Sequence, residues 1–214
     1  MLNMNFNQPV SIDSQKLSWV ASPMPGVWRK PLARENAEKG HATSIVRYDP
    51  GASFSSHGHP EGEEILVLEG VFSDQSGDYA AGTYFRNPEG FSHAPFSREG
   101  CIILVKLHQF QSDDRAHLTI QTDTESWCGT GSSLQRLDLH QHHDEQVFML
   151  RSNAGAELDL SAARKGLELY VIAGELFENH HAFQQGCWIR RPHADGRYRL
   201  GSDTRVWIKI NHLL

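Results

Sequence analysis

Gly51-Ala-Ser-Phe-Ser-Ser-His57-Gly-His59-Pro-Glu-Gly-Glu63-Glu-Ile-Leu-Val-Leu-Glu-Gly70 is the stretch from which the fold can be read, and Gly82-Thr-Tyr-Phe-Arg-Asn-Pro88-Glu-Gly90-Phe-Ser-His93 follows it after a short gap. His57 and His59 stand two apart, so on an extended strand both imidazoles leave the same face. Glu63 opens an apolar run in which Glu63, Ile65 and Val67 share one face and Glu64, Leu66 and Leu68 the other. His93 must come from a later strand, which makes the constellation non-local. Three imidazoles and one carboxylate form a nitrogen and oxygen donor set suited to iron(II), manganese, nickel, copper or zinc, with positions left over for water, substrate or dioxygen.

The chain also repeats. Slid against itself by 104 residues, it places Gly51 on Gly155, Glu64 on Glu168, Gly70 on Gly174, Gly82 on Gly186, Arg86 on Arg190 and Pro88 on Pro192. A period of that length signals a tandem duplication of a whole folding unit. The register slips by one near the ends, where Lys106 matches Lys209, and the join falls in the polar stretch 111–115. Two domains are expected, 1–112 and 113–214.

The duplication supplies an internal control. Where the first copy has His57, His59, Glu63 and His93, the second has Ser161, Ala163, Leu167 and Arg197. The framing glycines stay, as turn-forming positions should. Glu64 survives as Glu168, so its neighbour Glu63 is the ligand candidate. The reading is one metal-bearing repeat and one degenerate repeat.

Short apolar or alternating runs at 43–48, 65–68, 102–107, 168–172 and 206–210 are separated by Gly, Pro, Asp and Asn. That pattern predicts many short strands and an all-β protein of two jelly-roll barrels. Twenty basic residues against 26 acidic ones give a formal charge of −6, with no basic footprint for nucleic acid and no polybasic patch for a membrane. No apolar run approaches the ~18 residues of a spanning helix, and the first residues lack the basic and apolar regions of a signal peptide. A cytoplasmic protein is expected. Cys101, Cys128 and Cys187 have no metal or redox spacing and read as reduced thiols.

The two glycine-framed stretches resemble the paired motifs of the cupin superfamily, G-x5-H-x-H-x3-4-E-x6-G and G-x5-P-x-G-x2-H-x3-N. The first matches at every specified position; the second departs only at Ser97, where the family usually has an Asn that is not a metal ligand. Within that superfamily the chain is similar to the cupin domain of ChrR-type anti-sigma factors and to acetylacetone-cleaving dioxygenases. The likeness runs through Pro50-Gly51 to His59, Glu63 to Gly70, Phe72-Ser-Asp74, Pro88 to Pro95, Gly100-Cys101 and Val105-Lys-Leu107. The H-x3-C-x2-C motif of the helical zinc domain in those anti-sigma factors has no counterpart, because the three cysteines lie far apart.

The resemblance implies a bicupin, tandem double-stranded β-helices, with one divalent ion per chain held by His57, His59, Glu63 and His93. Zinc or iron is the expected metal, with manganese and nickel as alternatives. It implies three classes of function: a regulatory or stress-sensing module, an iron-dependent dioxygenase acting on a diketone-like chelator, and a non-catalytic small-molecule binder. The expected partners are a small-molecule ligand or dioxygen and a sigma factor or other regulatory protein, and jelly-roll edge strands make a homodimer a further expectation.

On the motif strands Ser53, Ser55, Ile65, Val67, Phe91 and Tyr84 are read as pocket-lining. Such a wall suits a small, mostly apolar molecule with one chelating end. No general acid or base can be singled out, so no catalytic residue is assigned. Arg197 is read as projecting into the second barrel to bind an anion. The cluster His140, His142, His143 and Asp144 resembles a metal site in composition but precedes the degenerate motif, and is read as a solvated loop or edge strand. Lys106 recurs as Lys209 in the copy without ligands, which gives it a structural role.

Overall fold

Nearly every alternating run of the sequence becomes a strand paired antiparallel with its neighbours. The computed structural model describes residues 1–36, 39–130, 133–194 and 196–213. Among these the one helical segment is a 3-10 turn at Ser14–Lys16, and no helix is long and apolar enough to cross a membrane. The chain forms two compact units, Met1–Met4 with Leu17–Thr124, and Asn5–Lys16 with Glu125–Leu214.

In the first unit, an eight-stranded sheet runs Leu118–Gln121, Thr83–Asn87, Glu63–Asp74, Cys101–Leu107, Ala42–Tyr48, Val27–Arg34, Val20–Ala21, with Gly77–Ala80 folded back on the end of Glu63–Asp74. A two-stranded sheet, His57–Gly58 with Ser92–His93, completes the wall. Ile65, Val67, Phe72, Phe85, Ile103 and Val105 are buried together as the filling. Each such side chain contributes roughly 1.5–3 kcal/mol of burial.

The second unit repeats the plan. A seven-stranded sheet runs Val10–Asp13, Cys187–Arg191, Leu167–Ala173, Thr204–Ile210, Glu145–Ser152, Leu134–His142, Cys128–Gly129, and a four-stranded sheet contains Ala156–Leu158, Tyr198–Leu200, Glu175–Glu178 and His181–Gln184. Leu167, Leu169, Val171, Leu176, Ile189 and Tyr198 lie in its core.

The unit and the sequence repeat divide the chain differently. Val10 pairs with Arg190 of the second unit, whereas Leu118, beyond the join expected at 112/113, pairs with Arg86 of the first. Arg86 and Arg190 are equivalent across the repeat, so each copy gives its first strand to the other by the same register. Strand alternation in a single sequence run carries no information about which unit a strand will join.

A β-bulge determines what the first barrel holds. Pairing between Glu63–Asp74 and Cys101–Leu107 shifts register at Ile102/Ile103, passing from Glu69 to Val67 and leaving Leu68 as the extra residue. Without it, strict alternation from Glu63 would turn Phe72 and Asp74 to the opposite face. With it, Phe72 joins Ile65 and Val67 inside. The second unit has the same shift between Val171 and Ala173. Gly70 and Gly174, just past the bulge, have positive φ, and a Cβ at either would collide with the returning strand, at the Gly100 carbonyl and at Thr204 respectively.

Ser97 lies in the backbone link that closes the first barrel: its hydroxyl donates to the Val71 carbonyl (2.6 Å) and its own N–H to the Ala52 carbonyl (3.0 Å). The side chain thus supports a strand connection, away from the donor set. On the outer face of the first sheet, Glu64 accepts from the Tyr84 hydroxyl (2.8 Å), and buried Arg86 pairs with Asp114. Lys106 Nζ donates to Thr43 Oγ1 (3.2 Å). In the second unit Glu168 accepts from Trp188 Nε1 (2.6 Å) and Lys209 pairs with Glu145 (2.8 Å). Glu64 and Lys106 therefore belong to a polar layer built alike in both units.

Candidate metal centre

His57 and His93 sit directly opposite each other where His57–Gly58 pairs with Ser92–His93. Phe54, packed against the core, lies under the His57 ring at 5.6 Å. The His57 and His59 rings meet edge-on at 4.7 Å, and each lies 5.3 Å from the His93 ring. One nitrogen from each of the three imidazoles falls within 4.8 Å of the others.

Glu63 closes the set from the first residue of its strand. Its Oε1 is 3.3 Å from His59 Nε2 and its Oε2 is 3.3 Å from His93 Nε2, while His59 Nε2 and His93 Nε2 are 3.1 Å apart. Two donors ~2.1 Å from a common ion in adjacent octahedral positions are about 3.0 Å apart. The three separations match that edge length. Glu63, His59 and His93 thus have the donor chemistry and the spacing to share one divalent ion, and His57 offers a third imidazole nitrogen within 4.8 Å of the other two.

The candidate donor side chains are also held by their neighbours. Asn87, opposite Glu63 in the strand pairing, donates Nδ2 to Glu63 Oε2 (3.1 Å). His57 Nδ1 lies 2.8 Å from the Ser55 carbonyl, and His93 Nδ1 lies 3.3 Å from Asp74 Oδ2. Burial holds the Glu63 carboxyl above its usual range, against the pull of His93 and Asn87. Burial, then His57 and His108, push His59 down to about 4. Burial likewise lowers His93, against Glu63, which works to raise it. His59 and His93 are therefore neutral at pH 7, with lone pairs available to a metal. Glu63 and His93 are buried and His57 is half-buried, so the cluster opens on the His57 side.

The proposed lining separates into three groups. Ile65 and Val67 lie in the core beneath the donors, and Phe91 stands beside His93 at 5.9 Å with its other side against His117 at 4.8 Å. Tyr84 does not line the cavity: its neighbour Phe85 takes the inward position, and the Tyr84 hydroxyl turns outward to Glu64. Ser53 and Ser55 are exposed and alternate with inward Phe54; Ser55 reaches the site only through its carbonyl. Asp74 and Asn87 were not foreseen, Asp74 because the bulge reverses its face. A signal existed in the repeat, where their positions carry Glu178 and Arg191.

The second unit has filled the equivalent volume. Leu167 and Ala163 are core residues there. Arg197 does not enter the barrel. It is exposed, as is Arg199, while Tyr198 between them turns inward and donates its hydroxyl to Glu178 (2.8 Å). Arg191 Nε donates to Glu178 Oε1 (2.8 Å), so an ion pair stands at the two supporting positions. His140 and His142 lie on the strand Leu134–His142, and His143 follows in a turn with positive φ.

Two jelly-roll units, the first with a three-histidine, one-glutamate cluster at its mouth that the second lacks, define a bicupin with a candidate metal centre in the first unit. A family model described as the ChrR cupin-like domain matches the chain twice, over residues 7–111 and 115–211, and the protein belongs to that family. No curated protein matches it at a significant level. Among solved structures it is similar to a Nostoc punctiforme protein provisionally named a dioxygenase (14% identity, TM-score 0.76, covering 97% of this chain and 84% of that one). It is also similar to the Escherichia coli pirin YhhW, solved with nickel(II) (13%, 0.74, 97% and 100%). A third likeness is to Bacillus subtilis oxalate decarboxylase, studied for its Mn(II) centres (14%, 0.64, 95% and 77%). At these identities the likeness is one of fold.

Proposed function

We propose that the first unit holds one divalent ion on His57, His59, Glu63 and His93, and that the protein works as a ChrR-like regulatory module responding through this centre to oxidative stress or a small ligand. The observation that carries the reading is the convergence of His59, Glu63 and His93 at 3.1–3.3 Å edges with His57 beside them in one repeat, where the other repeat has core Ala163 and Leu167 and exposed Ser161 and Arg197. The family match over both repeats supports the regulatory assignment. When bound, the ion would supply Lewis acidity and coordination positions for a small chelating ligand or dioxygen. Asn87 would hold Glu63 in place, and Ile65, Val67 and Phe72 would keep water from the inner side of the donors. Zinc is the proposed metal for this role, and a sigma factor or other regulatory protein the proposed partner.

A second reading, an iron-dependent dioxygenase on a diketone-like chelator, draws support from the Nostoc likeness and from the half-buried His57 side, by which a small molecule could reach the donors. The two are separated by loading the protein with iron(II) or zinc and measuring oxygen uptake with acetylacetone beside metal release by peroxide. Peroxide-triggered zinc release without oxygen uptake supports the regulatory reading. Catalytic oxygen uptake by the iron form, lost in His57→Ala, overturns it in favour of the dioxygenase.

A further inference from the structure

The geometry points to Asp74 as the positioning residue that fixes His93 for ligation, an inference that rests on the metal reading above. Asp74 is buried, and the Leu68 bulge turns it to the same face as Glu63. Its two oxygens are divided between two tasks. Oδ1 accepts from the Ser76 N–H (2.7 Å) and the Tyr79 hydroxyl (3.3 Å), which lock the carboxylate plane. Oδ2 faces His93 Nδ1 at 3.3 Å. A carboxylate only accepts, so Nδ1 must carry the proton and Nε2 must keep its lone pair. That Nε2 is the atom standing 3.3 Å from Glu63 and 3.1 Å from His59.

The neighbouring residue braces the strand. Gln75 donates Nε2 to the Ser92 carbonyl (3.0 Å) and accepts from the Ala94 N–H on Oε1 (3.0 Å), clamping the backbone on both sides of His93. The second unit provides the contrast. With no ligand to orient, Glu178 at the Asp74 position turns to Arg191 and Tyr198. Asp74 thus does for His93 what the Ser55 carbonyl does for His57.

Asp74→Asn separates positioning from mere structure. The Ser76 and Tyr79 donors would hold the amide oxygen at the Oδ1 position, presenting the NH2 group to His93 Nδ1. The imidazole would then carry its proton on Nε2, the wrong tautomer for ligation, as happens when an orienting Asp becomes Asn in a catalytic triad. We expect Asp74→Ala to weaken zinc binding by about 10–100-fold and Asp74→Asn to weaken it further, although Asn preserves volume. Zinc affinity is measured by competition with a chromophoric chelator, and the His93 tautomer by imidazole 15N shifts in the metal-free proteins, with Glu178→Gln as a control that leaves affinity unchanged. An Nδ1–H tautomer in the native protein that becomes Nε2–H in Asp74→Asn is the expected result. Asp74→Asn with native affinity and an Nδ1–H ring, or affinities in the order Asn above Ala, overturns the inference. A native protein that fails to bind zinc or any other divalent ion while keeping the Nδ1–H tautomer defeats the metal reading but leaves the orienting contact standing.

Discussion

Glu63→Leu is the substitution that the protein has already made in its second unit, where Leu167 occupies the equivalent position in the core. Glu63 is buried and burial disfavours its charged form, so the metal-free protein gains by losing it. Burying a leucine there contributes ~2 kcal/mol. Asn87 Nδ2 loses its acceptor, which costs ~1–3 kcal/mol. The two nearly cancel, leaving the metal-free fold within about 1 kcal/mol of native, or ~2–4 °C in midpoint for a protein of this size. The effect on the metal-loaded protein is different. Zinc at 1,000 times its dissociation constant adds about 4 kcal/mol to the native protein, a rise of roughly 8–16 °C. In Glu63→Leu that rise should largely vanish. Thermal unfolding of both proteins, stripped by chelator and then supplied with zinc, gives both quantities. A metal-free variant destabilised by more than ~3 kcal/mol, or one that keeps the full zinc-dependent rise, refutes the reasoning.

Three further outcomes are expected. The metal-free protein should lose stability on acidification: His59 titrates at about 4 when folded and near 6.5 when unfolded, so the unfolded chain takes the proton first and stability falls as pH drops through that window. The limit for this group is about 3 kcal/mol, partly offset by Glu63, whose raised value acts in the opposite sense, and urea midpoints at pH 7 and 5 in native protein and His59→Ala should show the variant declining less. In thiol titration the exposed Cys128 should react in the native protein while buried Cys101, pushed up to about 11, and buried Cys187 wait for denaturant; rapid labelling of all three would contradict the packing. Arg197→Ala should leave metal content and midpoint unchanged, since the side chain is exposed; a change in zinc stoichiometry would show the site had been misread.

Much of the candidate site could be picked out from sequence because its candidate donors lie on short, regular segments. The two-residue spacing of His57 and His59, and the retention of Glu64 as Glu168, distinguish the inward Glu63 from its outward neighbour, and the structure places Glu64 on the opposite face with Tyr84. What sequence alternation missed lies where alternation breaks. The Leu68 bulge brings Asp74 inward, and one residue of phase turns Tyr198 inward in place of Arg197. Tyr84 was misplaced for a similar reason: in a strand buried on both sides, hydrophobicity does not tell the inner face from the outer. The exchange of Val10–Asp13 and Leu118–Gln121 between the sequence repeats is a tertiary choice with no local signature.

The central claim is that four side chains of the first repeat hold one metal ion. Its most direct test is elemental analysis of protein purified without a histidine tag, beside a His57→Ala, His93→Ala double variant. The account predicts a single divalent ion per chain in the native protein and none in the variant. Equal metal in the two proteins would contradict it.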